Sequence, residues 1–302
     1  MDVGGLSQHV VGGSFALSAA ALWAGASILW KRLGEDVPSA GMNLGKGLVA
    51  LALLAVMLIA AGPMELGLHA WLVLGASGVV GVALGDTAYF LALVRLGPRR
   101  ILVLTTLTPL LASFMAIALL GERPSFQWGV GTLLCLGGVA WVMRERLPDG
   151  ADRGRWRSGI AIGIGAALCE ATGTLLTKVG LGGTPEYAWR EATFIRMLFA
   201  VTALSAYAAA RGKIGDWLGP FRRGRRLLVL VAASFIGTFL AILFATASLW
   251  YTHVALAAVL KSMSPIFILP LARLFMKERI TVPAVLGAVL AVAGAALVMT
   301  AF

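Results

Sequence analysis

Long apolar runs separated by short polar connections dominate this sequence and limit what it can fold into. We identify ten such runs, each close to the roughly 20 residues that a helix needs to cross a bilayer. In a chain of 302 residues they leave no room for a sizeable soluble domain. The pattern predicts an all-α integral membrane protein with ten transmembrane helices. The runs cover approximately residues 11–30, 43–61, 70–93, 100–120, 126–143, 158–178, 192–210, 227–250, 254–276 and 282–301.

The composition supports the same fold class. Hydrophobic residues make up 59% of the chain and charged residues 13%, against about 45–50% and 25% in average soluble domains. A water-soluble fold of this composition would expose large apolar patches and aggregate. The runs are also too long and too uniformly apolar for the alternating strands of an outer-membrane barrel. The composition therefore argues against a cytosolic enzyme, a DNA-binding protein and a secreted disulfide scaffold.

The basic residues are distributed unevenly between the connections. The net charge is +11, and 18 Lys and Arg residues lie in loops after odd-numbered runs against 2 in loops after even-numbered runs. Cytoplasmic loops of membrane proteins carry the excess of Lys and Arg. The bias predicts a cell (inner) membrane protein with both termini outside, and it argues against nucleic acid as a partner.

An internal repeat organises the chain into two halves. Residues 105–143 align with residues 261–299 at an offset of 156. The aligned pairs include Pro109 with Pro265, Glu122 with Glu278, Arg123 with Arg279, Gly131 with Gly287, and Gly138 with Gly294. The repeat predicts two five-helix units, 1–143 and 158–302, joined by a basic linker at 144–157. An odd number of helices per unit forces the second to insert upside down, and such inverted repeats are typical of secondary transporters.

The arrangement of these repeats is similar to that of a known family. Each half has a proline in its fourth helix and a Glu-Arg pair at that helix's end, in GER at 121–123 and KER at 277–279. This pattern resembles the EamA-type branch of the drug/metabolite transporter superfamily. The resemblance implies a carrier, often an exporter, of a metabolite, amino acid or drug, coupled to protons or another gradient. It also includes relatives with both termini in the cytoplasm, opposite to the orientation that the charge count predicts.

Five charged residues fall inside the apolar runs. A charge at the bilayer centre costs roughly 2.5–3.5 kcal/mol on insertion scales, so each is expected to face a cavity or a partner. These residues are Lys46, Asp86, Glu170, Arg196 and Lys261.

Glu170 is the first candidate for proton coupling. Its segment ALCEATGTLLTK, residues 167–178, is similar to the first helix of the small multidrug resistance family. That resemblance implies that Glu170 exchanges protons for a cationic substrate, whereas a Glu held permanently in an ion pair or a hydrogen bond is the alternative. Trp23 aligns with Glu170, so only one half carries this carboxylate. Asp86 is the second candidate for coupling, or for substrate binding, with a structural pairing to Lys46 or another cation as its alternative.

The three basic residues are candidates for substrate binding. Lys46 and Arg196 occupy matching places near the start of the second helix of each half. Either could bind an anionic group or neutralise a carboxylate, or it could extend to the membrane interface. Lys261 stands four residues before Pro265, near a predicted kink that frees carbonyls to line a cavity.

The remaining site predictions concern prolines and aromatic residues. Pro109 and Pro265 are predicted hinges, because each removes a backbone donor from its helix. Trp23 and Tyr89 lie within runs and are expected to line an aromatic part of the substrate site, with ordinary packing as the alternative.

The last predictions concern cofactors, partners and alternative functions. It contains no motif for a metal or another cofactor, so none is expected. The predicted partners are a small-molecule substrate, protons and the lipid bilayer, with the protein a monomer or a homodimer. A membrane-embedded enzyme acting on a lipid-like substrate, or a channel, remains an alternative function. Charges of both signs would suit a zwitterion as readily as an organic cation.

Overall fold

The computed structural model is helical along almost all of the chain that it describes. Its helices are α1 (Val3–Leu33), α2 (Ser39–Ala61), α3 (Leu68–Leu96), α4 (Pro98–Leu104), α5 (Leu107–Leu120), α6 (Phe126–Arg144), α7 (Arg153–Leu181), α8 (Ala188–Ala210), α9 (Ile214–Leu218), α10 (Gly224–Tyr251), α11 (Ser264–Met276) and α12 (Val282–Met299). The described residues are 3–61, 66–120, 125–144, 152–182, 184, 188–222, 224–251, 257, 260–277 and 280–299. No strand occurs among them, so the all-α prediction is confirmed for this part of the chain.

Six of the described helices are long and apolar enough to cross a membrane. They are α1, α2, α3, α7, α8 and α10. Helices α6, α11 and α12 are apolar but shorter. Large apolar side chains such as Ile59, Leu72 and Leu228 point outward, as lipid-facing residues do. The chain is therefore a multi-pass membrane protein, and the count of ten spans stays a prediction.

Two helices contain a π-helical segment at matching places in the repeats. In α3 this segment is Gly78–Asp86, and in α10 it is Phe235–Leu240. The offset of 156 places Gly81 on Gly237, inside both segments. π-Helical segments are rare in proteins, and those that occur are often found at functional sites. The similarity of the two halves therefore includes an uncommon feature of the backbone.

The helices that carry the predicted hinge prolines are interrupted just before each proline. A turn at Thr105–Thr106 separates α4 from α5, and a turn at Ser262–Met263 precedes α11. Pro109 and Pro265 therefore lie in the first turn of a new helix, where a missing backbone N–H removes no helical bond. The observed feature is a break in the helix instead of the kink that the sequence predicts.

Helix α7 begins earlier than its apolar run suggests. The Asp152 side chain accepts hydrogen bonds from the backbone N–H of Gly154 at 2.8 Å and of Arg155 at 3.1 Å. This cap starts the helix at Arg153, inside the predicted linker. Residues 145–151 and the Glu-Arg pairs at 122–123 and 278–279 lie outside the described residues.

The following helix contacts between the two halves are arranged so that exchanging the halves gives the same set of contacts. Helix α1 packs on α10 and α11, while α7 packs on α3 and α5. Helix α2 packs on α8, and α6 packs on α12. Each of these contacts of the first half with the second has a counterpart when the halves are exchanged, which is the pattern that a two-fold axis produces.

The contact between α6 and α12 shows the direction in which these helices run. Gly138 lies against the backbone of Gly287, and Gly294 lies against that of Gly131. The residue numbers rise along one helix as they fall along the other, so the helices are antiparallel. A Cβ atom at Gly138 or Gly294 would overlap the facing backbone, which explains why both repeats carry glycine here.

Candidate functional site

A cavity of about 160 Å³ lies between the two halves, and most of the predicted site residues line it. Small side chains, mainly alanines, threonines and serines, form much of its wall. Its charged and aromatic lining residues are Asp86, Glu170, Arg196, Lys261, Trp23 and Tyr89. Pro109 also contacts the cavity, whereas Lys46 and Pro265 are not among its lining residues. We call this cavity the central chamber.

Close packing of α3 on α7 brings both carboxylates to the chamber. Gly81 and Gly173 lie so near each other that a Cβ atom on Gly173 would stand 2.8 Å from the Gly81 Cα. The Ser77 hydroxyl donates to the Gly173 carbonyl at 2.7 Å. Glycines on both helices therefore allow this close approach. Asp86 and Glu170 lie on the same side of this helix crossing.

Helix α2 binds the π-helical segment of α3 through an amide side chain. The Asn43 Nδ2 donates to the carbonyls of Val82 at 2.8 Å and Ala83 at 3.1 Å. It also lies 2.8 Å from the Thr87 hydroxyl. Buried carbonyls need a donor, so these bonds hold the irregular backbone that ends at Asp86.

Lys46 and Asp86 form a buried ion pair, in which Asp86 lines the chamber and Lys46 lies behind it. The Lys46 ammonium group donates to Asp86 Oδ2. Its side chain is 0% exposed and that of Asp86 is 11% exposed. The Lys46 Nζ also lies 5.3 Å from the centre of the Phe90 ring, within the range of cation–π attraction. Of the alternatives for Asp86, pairing with Lys46 is the one that this conformation contains.

Glu170 and Lys261 form a second ion pair, on the chamber surface. The Lys261 ammonium donates to Glu170 Oε1. Here the side chains are 41% exposed for Lys261 and 32% for Glu170. Lys261 directly precedes the turn before α11, and its carbonyl accepts a hydrogen bond from the Ser264 hydroxyl at 3.0 Å. The ion pair therefore joins α7 to the residue just before the helix break that precedes α11.

Arg196 is the third basic residue of the site. It lies on α8 and is 9% exposed, and its guanidinium group lies beside the Gly81–Gly173 crossing. Glu170 and Asp86 both lie near enough to interact with it electrostatically. Its Nε, however, is buried without a hydrogen-bond partner in the described part of the chain.

The five charged residues leave one positive charge in excess when all are ionised. Each carboxylate already pairs with a lysine, which leaves Arg196 as the surplus cation. The sequence identified all five residues, but it did not pair Glu170 with Lys261. Glu170 and Lys261 are far apart in the chain, and no local pattern brings these side chains together.

Aromatic rings form one wall of the chamber. The ring centres of Trp23 and Tyr89 are 5.2 Å apart. Trp30 and Phe90 pack on each other at the same separation but do not line the chamber. The sequence also missed the hydroxyl groups of the lining, whose signal is the threonines and serines inside apolar runs. They are Thr105, Thr108, Thr174, Thr177, Thr246, Ser248, Ser262 and Ser264.

Comparisons with known proteins bear on the fold and on the family. Residues 10–144 and residues 157–300 each match the EamA-like transporter family. Among 26 matching chains of solved structures, one described as "Crystal structure of protein" is 18% identical with a TM-score of 0.67. The match covers 95% of each chain, so the two share a fold. No curated protein matches this chain.

Proposed function

This chain belongs to the EamA-like transporter family, and from that membership we propose that it is a secondary active transporter working by alternating access. The proposed cargo is a small metabolite, amino acid or drug, and export driven by proton exchange is the proposed direction. The observation that carries the proposal is the charged chamber enclosed between the two halves. Ionisable groups inside a membrane protein mark substrate and ion pathways.

The relation between the halves supports alternating access. Contacts that exchange under a two-fold operation and the antiparallel contact of α6 with α12 fit five-helix units inserted in opposite directions. In such a protein each half can adopt the conformation of the other, which moves the opening of the chamber from one side to the other.

The position of Glu170 supports a coupling role for this residue. Its carboxylate binds Lys261 but stays accessible from the chamber. Protonation would remove the charge that holds Lys261, and Lys261 lies beside the break before α11. We infer that proton binding frees this segment to move, with Pro265 and Pro109 beside the two breaks. Asp86 stays a second coupling candidate, although its carboxylate is held by Lys46.

Contacts between the halves at one end support a gate there. The Arg32 guanidinium donates to the Phe275 carbonyl at 2.9 Å. The Arg226 guanidinium donates to the Asp36 carboxylate at 2.8 Å. The distribution of Lys and Arg predicts this end to be cytoplasmic, with both termini outside. We propose that these contacts break when the chamber opens toward the cytoplasm of an inner-membrane protein.

Transport in vesicles tests the proposal. Purified protein is reconstituted into liposomes that contain a pH-sensitive dye, and a panel of amino acids, organic acids and organic cations is added under an imposed pH gradient. At least one compound should cause proton movement that protein-free vesicles lack. Glu170→Gln should reduce this movement at least tenfold, because the side chain can no longer release a proton. The exposed Glu35 provides the matched control Glu35→Gln, which should leave it unchanged.

The two parts of the proposal fail separately in this experiment. Full gradient-driven proton movement in Glu170→Gln would show that Glu170 is not the coupling residue. Passage of the same compounds without saturation and without proton movement would favour a channel instead. No difference from protein-free vesicles across the panel would overturn the transporter proposal.

A further inference from the structure

The strongest unexplained feature of the central chamber is Arg196. A guanidinium group has five donors in a planar fork that matches a carboxylate. Arg196 is 9% exposed and lines the chamber, and its Nε is buried without a partner in the described residues. We propose that Arg196 binds the carboxylate of a small organic acid with an apolar body, and that this acid is the cargo. The identification as cargo rests on the proposed function, whereas the binding site does not.

Charge balance favours an anion over a cation. Asp86 and Glu170 are already paired with lysines, so a bound cation would add to an existing surplus of one positive charge. It would otherwise have to displace a lysine from its carboxylate. Displacing Lys46 would leave a buried lysine unpaired, which is costly, and displacing Lys261 would still raise the surplus of positive charge to two. A monoanion on Arg196 brings the charge of the chamber to zero and supplies the missing acceptor.

The remaining lining indicates the rest of the ligand. Trp23 and Tyr89 present aromatic rings, and alanines from several helices complete an apolar wall. The Thr108 hydroxyl is buried and lacks a partner in the described part of the chain. The volume of about 160 Å³ is below the roughly 300–1,000 Å³ of pockets for drug-sized ligands. The ligand is therefore a small acid whose apolar part contacts the rings.

The two halves differ at this site. Lys46 occupies the matching place near the start of α2, but Asp86 already binds it and it does not line the chamber. Arg196 does line the chamber, and both carboxylates near it are bound to other groups. The second half therefore supplies Arg196 as an anion site, whereas in the first half the charge of Lys46 is neutralised by Asp86.

A charge series of one molecular shape tests the proposal. The probes are 3-phenylpropanoate, 3-phenylpropanamide and 3-phenylpropylamine, which carry a negative charge, no charge and a positive charge. Binding is measured by titration calorimetry on the purified full-length protein in lipid nanodiscs without a gradient. The acid should bind at least tenfold more tightly than the amide, and the amine should bind more weakly than the amide.

Variants of Arg196 identify the group responsible. Arg196→Gln should weaken binding of the acid at least tenfold and leave the amide unchanged. Arg196→Lys should retain part of the preference, because it keeps the charge without the fork. Arg211→Gln, at an exposed residue just after α8, is the control and should bind as the wild type does. If Arg196→Gln does not fold, Arg196→Lys and the wild-type series still decide the question.

Several outcomes would overturn this proposal. These are equal binding of acid and amide by the wild type, no binding of the acid, or an acid preference retained in Arg196→Gln. The result is distinguishable from that of the vesicle experiment because no gradient is present. Acid binding without transport would overturn the proposed function alone, and transport of cations without acid binding would overturn the anion site alone.

Discussion

Two lysine–carboxylate pairs serve the central chamber, one in each half, and they differ in their access to it. Lys46 and Asp86 join α2 to α3 and are almost fully buried, whereas the side chains of Lys261 and Glu170 are 41% and 32% exposed. The first pair joins two continuous helices, and the second includes a residue beside a helix break. The same ionic chemistry therefore suits a fixed structural contact in one half and an exchangeable contact in the other.

The largest expected effect comes from breaking the sealed pair. Lys46→Met leaves the Asp86 carboxylate buried without its partner, and loss of one member of a buried pair costs about 3–5 kcal/mol. We expect a decrease of this size in the free energy of unfolding, measured by denaturation in mixed micelles. The double variant Lys46→Met/Asp86→Asn removes both charges and should recover most of the loss. If Lys46→Met were as stable as the wild type, the Lys46–Asp86 pair would not be the structural contact that the comparison of the two pairs requires.

Disturbing the Gly81–Gly173 crossing, which positions both carboxylates, should lower the free energy of unfolding by a smaller amount. Gly173→Ala would place a methyl group 2.8 Å from the Gly81 Cα, and overpacking of this kind typically costs about 1–3 kcal/mol. Gly165→Ala, on the same helix, meets nothing within 4 Å and is the matched control. It should be neutral or slightly stabilising, because alanine favours the helix. Equal unfolding free energies for the two variants would show that α3 and α7 do not depend on this crossing.

Much of the fold follows from periodic features of the sequence. The apolar runs predict the six long described helices, and the offset of 156 predicts the equivalence of Gly138 with Gly294. The π-helical segments and the breaks before Pro109 and Pro265 could not be predicted in the same way. They depend on contacts between distant helices, such as the bonds from Asn43 to α3, and a single run does not encode them.

The candidate site is predictable in its members but not in its pairing. The cost of a charge in the bilayer identified Glu170, Asp86 and Arg196 without any structure. The repeat gives no help with their partners, because the carboxylates are not repeated. Glu170 aligns with Trp23, and Asp86 aligns with Ile242. A symmetric scaffold therefore carries an asymmetric set of charges, and only the packed structure shows which cation each carboxylate binds.

The smallest expected effect comes from breaking the accessible pair. Lys261→Met also removes a lysine from a carboxylate, but Glu170 remains accessible from the chamber and water can solvate it. Accessible ion pairs contribute about 0.2–1 kcal/mol, so the free energy of unfolding should fall by no more than this. The vesicle assay should respond more strongly, since Glu170 no longer has to exchange a proton for Lys261 and the pH dependence of proton movement should change. A loss of stability as large as that of Lys46→Met would show that both pairs are structural, and the distinction between the halves would then be wrong.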